Sequence, residues 1–183
     1  MLLDGGLGII GAIIFAHILQ INISPLVLGT SILFALLPDI DFIFGWIKHT
    51  ELKHVSHEHR DLLHYPLLFL PIGFLVIAYF SFTYACLFII LSFLHFIHDS
   101  IGIGWGVLWL YPFSKKYYKF FSEKNGHFSK KLIVSWTHEE QHEASTQFGD
   151  KDWFKNIYLK LHPISVIELL LFITALILLW KFI

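Results

Sequence analysis

Apolar residues run in long blocks along this chain, and the polar ones gather between the blocks. Gly5 to Ile21 and Pro25 to Leu37 are two such blocks, parted by Asn22 and Ser24. Tyr65 to His98 contains no Asp, Glu, Lys or Arg. A helix needs about 20 apolar residues to cross the hydrocarbon core of a bilayer, so this run is too long for one crossing and predicts two short helices broken near Ser81-Phe82-Thr83. The last block, Pro163 to Trp180, carries one acid, Glu168, and closes with Lys181. Helices shield their own backbone amides and are the open-ended way through lipid. The pattern therefore predicts an all-α fold, a polytopic helical membrane protein with about five membrane-embedded helices. The second block, Pro25 to Leu37, is short for a complete crossing.

Between the fourth and fifth blocks the character changes. Residues 113–162 are polar, aromatic and lysine-rich. Phe113, Tyr117, Phe120 and Phe121 recur near i, i+3, i+4 among Lys115, Lys116 and Lys119. That spacing predicts a helix lying in the lipid interface, or else a short linker helix packed on the bundle. No internal repeat or low-complexity stretch divides the chain. Residues 1–183 read as a single integral membrane domain, with 113–162 as a cytoplasmic or interfacial insertion before the last helix.

Composition sharpens this. Of 183 residues, 56% are hydrophobic and 15% charged, with a mean hydropathy of +0.65, against about 45–50% and about 25% in soluble domains. A net charge of -1 offers no basic surface for a phosphate backbone, so nucleic acid is not an expected partner; membrane lipids are. The sole cysteine, Cys86, excludes a disulfide framework and a cysteine zinc site. Asp4 in place of an early Lys or Arg, and the lack of a small-x-small site after the first block, argue against a cleaved signal peptide. With five crossings, loops 39–64 and 99–162 share one face with the N-terminus. They hold all 13 Lys and Arg except Lys181, and positive loops stay cytoplasmic.

Polar clusters stand at the cytoplasmic ends of the predicted helices: Leu37-Pro38-Asp39-Ile40-Asp41, His57-Glu58-His59-Arg60-Asp61-Leu62-Leu63-His64, and His95-Phe96-Ile97-His98-Asp99, with Asp4 at the mouth of the first helix. His95 and Asp99 are four apart and share a helix face, so an imidazole and a carboxylate can converge on one cation. Such donors suit zinc first, with manganese or iron as alternatives. Each cluster also has a plainer reading. His95 and Asp99 can pair as a helix-end hydrogen bond; Asp39 and Asp41 can be an interfacial stop; His59 and His64, five apart across a loop boundary, fix no geometry. Three clusters at one membrane depth nevertheless resemble a metal cage built from helix ends.

A competing motif lies downstream. His138-Glu139-Glu140-Gln141-His142 spells H-E-x-x-H, which on a helix gives two zinc ligands and a general base. Its neighbours are polar rather than apolar, so a solvated helix face is the simpler account than a metalloprotease site.

Taken in order, the clusters resemble the YdjM-type family, described as LexA-regulated, membrane-bound, predicted metal-dependent hydrolases. The family pattern runs L-P-D-x-D, H-R-G-x-T-H-S, H-x-x-x-D, then a glycine-bearing turn and a short Y-P run. The counterparts are Leu37 to Asp41, His59 to Tyr65, His95 to Asp99, and Gly102 and Gly104 leading to Leu110-Tyr111-Pro112-Phe113-Ser114. The match covers roughly residues 1–114 and leaves the remainder unmatched. Asp61, Leu63 and Tyr65 stand where the family has Gly, Thr and Ser, and Asp4 stands where a polar residue, usually His, begins the first helix.

The resemblance implies a divalent-metal centre at the cytoplasmic face of a bacterial inner membrane. Asp39, His64, His95 and Asp99 are the implied core ligands, His59 the next, and Asp41 and Asp4 further ones. It implies hydrolysis of a phosphoester or lipid-linked substrate by a water activated on the metal. Arg60 would clamp an anionic group such as phosphate, and Asp61 would act as base. Two rivals stand beside it: a non-catalytic metal-binding protein (sensor or transporter subunit) on the same ligands, and the metalloprotease reading of His138, Glu139 and His142. A transporter would need a polar path through the spans, where little beyond His17 and Glu168 offers one.

Overall fold

Among the described residues, five α-helices form where the apolar blocks lie: α1 (Leu2–Leu19), α2 (Pro25–Leu36), α3 (Pro66–Phe80), α4 (Phe82–Asp99) and α5 (Pro163–Phe182). The computed structural model describes residues 2–40, 63–102, 104–124, 127–128, 130–137, 139–140, 143–144, 154–160 and 162–183. Local chemistry explains the helix starts. Ser24 caps α2 by accepting the Val27 N–H on its hydroxyl at 3.2 Å, and Pro25 occupies the first turn, where no intrahelical acceptor is needed. α2 tightens at its end into a 3-10 turn, Leu37–Asp39. The long apolar run breaks at Ser81, inside the expected window, and the Ser81 hydroxyl accepts the Tyr84 N–H at 3.5 Å at the start of α4.

Three of these helices, α1, α4 and α5, are long and apolar enough to cross a membrane. At 12 and 15 residues, α2 and α3 reach about 18 and 22 Å, short of the roughly 30 Å hydrocarbon core. Five helices are present, then, but three have the length of a complete span. α5 exposes Ile167, Leu170, Leu171, Ile173 and Ile177. These side chains lie on one broad side of the helix, away from the buried Glu168 and Ala175, the surface a lipid-facing helix presents.

The chain packs as two compact units, one of residues 1–38, 70–95 and 164–183, the other of 39–69 and 96–163. In the first, α4 is the central element. Ser92 donates its hydroxyl to the Phe34 carbonyl of α2 at 3.0 Å, and Phe34 meets Phe88 edge-on with centroids 5.4 Å apart. Phe15 of α1 lies 5.1 Å from Tyr84. α1 and α2 approach closely because Gly8 faces the backbone of α2: a Cβ there would stand 2.6 Å from the Ile32 Cα. Ile9 and Ile13 of α1 bury against Ala175 of α5. The buried stripe of α4 runs Phe88, Leu91, Ser92, His95, a three-four spacing that ends in a polar residue.

The second unit holds a four-stranded sheet of β1 (Ile101–Gly102), β2 (Tyr117–Lys124), β3 (His127–Phe128) and β4 (Ile133–Trp136). β2 is its centre, parallel to β1 and antiparallel to β3 and β4. This corrects the all-α expectation, and with it the helix expected through Phe113, Tyr117, Phe120 and Phe121. Aromatic residues favour a pleated surface, and Tyr117 and Lys119 are buried while Tyr118 and Phe120 are half-buried, a period of two. Lys119, grouped in the sequence with Lys115 and Lys116 on the expected interfacial helix, is fully buried. Tyr117 packs with Trp105, Leu108, Trp136 and Ala144. Gly106 makes this possible: its φ is +85°, and a Cβ would meet the Tyr118 carbonyl oxygen.

Candidate metal centre

Each polar cluster lands at a helix end. Asp39 closes the 3-10 turn after α2. His64 lies two residues before α3, held by two aromatic contacts: Tyr65 stacks on Tyr111 with centroids 4.4 Å apart, and the His64 ring meets Phe96 edge-on at 5.9 Å. Asp99 is the last residue of α4, and His95 precedes it by one turn. The chain beyond Asp99 is fixed. The Ser100 hydroxyl donates to the Phe96 carbonyl at 2.7 Å and accepts the Trp109 indole N–H at 2.8 Å. The Ser100 carbonyl accepts the Phe120 N–H of β2.

Asp39, His64, His95 and Asp99 each offer one ligand atom, and these atoms all lie within 4.8 Å of one another. His64 Nε2 is 3.0 Å from Asp99 Oδ2 and 3.9 Å from Asp39 Oδ1. Ligands at about 2.0–2.1 Å from one tetrahedral zinc stand roughly 3.3 Å from each other, and opposite ligands of an octahedral ion stand about 4.2 Å apart. The 3.0 and 3.9 Å spacings fall within that range, and the group of two imidazoles and two carboxylates could hold one ion. His64 is 0% exposed, while the Asp39 and Asp99 side chains keep 21% and 11%, so the site is deep on the histidine side and open on the carboxylate side.

Electrostatics points the same way. Asp99 sits at the C-terminus of α4 and Asp39 in the turn that ends α2, where the helix dipole is already negative. Two carboxylates at two such ends repel unless a cation lies between them. Asp4 differs: it is in the first turn of α1, where an acid is favoured. Its Oδ1 lies 3.3 Å from His95 Nδ1, and both side chains are 1% exposed. The structure thus places Asp4 beside His95 and outside the group of four.

The remaining candidates divide. Asp41, His59, Arg60 and Asp61 lie outside the described residues, as do His138 and His142 of the H-E-x-x-H segment. Glu139 is exposed in a turn. Glu140 forms a capping box with Thr137: its carboxylate accepts the Thr137 N–H at 2.8 Å, and its own N–H donates to the Thr137 hydroxyl at 3.4 Å. Sequence reasoning missed the contact between Asp4 and His95, whose only signal was an acid in the first turn of an apolar helix. It also missed Phe96, which has no polar signature.

A family model of the YdjM inner membrane protein matches residues 6–183. The chain belongs to the YdjM inner membrane protein family. No curated protein and no solved structure matches it. The YdjM match extends beyond Ser114, where the sequence motifs stop, through the sheet and α5. The resemblance read from the motifs covers roughly residues 1–114, and the family match is longer. Family and helices agree that this YdjM protein resides in a membrane.

Proposed function

We propose that this protein is a multi-pass inner-membrane hydrolase that uses a divalent metal, zinc first, at the cytoplasmic face to cleave a phosphoester or lipid-linked substrate. The observation that carries the reading is the group Asp39, His64, His95 and Asp99, its histidines buried and its ligand atoms within 4.8 Å of each other. A cation held there supplies Lewis acidity and lowers the pKa of a coordinated water. The chain's own residues do the rest. His64 is kept in place by Phe96, and its Nε2 is aimed at both carboxylates. Asp4 Oδ1 stands 3.3 Å from His95 Nδ1, and a carboxylate there would orient the ring and favour the tautomer that leaves the other nitrogen for a cation, as carboxylate partners of metal-binding histidines do. Arg60 and Asp61, next to His59 in sequence, are assigned to phosphate clamping and proton acceptance, with His59 and Asp41 as further ligands.

Sidedness follows from chain connectivity. Asp4 opens α1, Asp39 ends α2, His64 precedes α3, and His95 and Asp99 close α4. Alternating helix directions would bring these four ends to the side that carries twelve of the thirteen Lys and Arg, which supports a cytoplasm-facing centre. The test is a screen of phosphomonoesters, phosphodiesters and phospholipids with reconstituted protein before and after chelation. The reading expects hydrolysis that chelation removes, that added metal restores, and that Asp99→Ala lacks. Metal binding without hydrolysis across the screen would favour the sensor or transporter-subunit alternative.

A further inference from the structure

Segment 100–162 leaves the end of α4 and returns at the start of α5, both helices of span length, so it is tethered to a bilayer at each end. It carries nine lysines against six acids. Within it, Phe120 pairs with Ile133, and the Phe121 N–H donates to the Leu132 carbonyl at 3.0 Å. Phe121, Leu132 and Ile133 therefore stand together at one end of the β2–β4 ladder. They are 49%, 65% and 59% exposed, and the residues just before Leu132 are Lys130 and Lys131, both exposed.

Phe121 also departs from strand geometry. Its φ is +47°, in the left-handed region that costs an L side chain energy and persists where surroundings impose it. Phe120 is half-buried and Phe121 exposed, so the bulge turns an aromatic ring outward where strict alternation would have turned it in. The composition recurs at the other end of β2, where the highly exposed Phe113 precedes the exposed Lys115 and Lys116.

We propose that this end of the sheet is a docking surface for anionic phospholipid headgroups, with Phe121, Leu132 and Ile133 entering the upper acyl region and Lys130 and Lys131 meeting lipid phosphates. Apolar side chains flanked by lysines are what an interfacial element presents to an anionic bilayer, and lysine stems reach past apolar surface to the phosphates. The surface serves the sheet unit whether or not the centre binds a metal.

The test uses the full chain carrying Cys86→Ser and Leu132→Cys, labelled with a nitrobenzoxadiazole dye and reconstituted into phosphatidylcholine vesicles with and without phosphatidylglycerol. Nitroxide-headgroup lipid serves as quencher. The proposal expects quenching that strengthens severalfold with phosphatidylglycerol and loses that gain on Lys130→Glu with Lys131→Glu. Ile133→Cys gives the same reading should Leu132→Cys fail to fold. Three results would overturn it: a dye quenched by aqueous iodide and by no lipid; quenching indifferent to both phosphatidylglycerol and the lysine changes; or a dye shielded from iodide and nitroxide alike, which would mean that protein covers the patch.

Discussion

Asp4 and Asp99 are both carboxylates beside histidines, yet their positions assign them different work. Asp99 lies where the α4 dipole is negative and faces His64 across 3.0 Å; Asp4 lies in the first turn of α1 and touches His95. Removing Asp99 takes away a ligand, and Asp99→Ala is expected to abolish stoichiometric metal. Removing the charge of Asp4 takes away only the orientation of a ligand. Asp4→Asn should keep the stoichiometry at saturating metal while weakening affinity by about 10–100-fold, read by competition with a chromogenic chelator. An Asp4→Asn protein with wild-type affinity would refute the positioning role. Much of the site was legible at this scale, because His95 and Asp99 share a helix face by spacing alone and Asp39 and His64 stand at the edges of apolar blocks. The contact of Asp4 with His95 was not, since it joins residues 91 positions apart in sequence through helix packing.

Helix boundaries were readable because hydropathy and local breakers agree, as Ser24-Pro25 and Ser81 show. The sheet was not. Phe113, Tyr117, Phe120 and Phe121 fit a helical repeat by count, while Tyr117 and Lys119 follow a two-residue period that becomes visible once β1 and β4 supply partners on both sides. Packing among the helices gives a sharper test. Gly8 meets the α2 backbone at a distance no Cβ tolerates, whereas Gly29 has nothing within 4 Å of its would-be Cβ. Gly8→Ala should destabilise by about 1–3 kcal/mol through overpacking. Gly29→Ala should be neutral or gain about 0.5–1 kcal/mol from helix propensity. Thermal unfolding in detergent ranks the two, and equal midpoints would contradict the close α1–α2 approach.

For the whole molecule, three span-length helices and a strongly one-sided distribution of Lys and Arg support the proposed topology. In it the N-terminus and segment 100–162 would lie inside, and the C-terminus, with Lys181, outside. In a Cys86→Ser background, Lys181→Cys should react with a membrane-impermeant maleimide in intact cells, and Lys116→Cys only after permeabilisation. The reverse pattern would put the candidate centre on the outer face. The family match over residues 6–183 covers both the helices and the sheet residues, although the motifs visible in sequence end at Ser114.

The central claim is that Asp39, His64, His95 and Asp99 hold a metal ion, and elemental analysis of detergent-purified protein tests it most directly, with wild type beside His64→Ala and Asp99→Ala. The account predicts zinc, manganese or iron in stoichiometric amount in the wild type and its loss from both folded variants. Metal absent from the wild type, or metal that survives both changes and falls with His138→Ala, would contradict it.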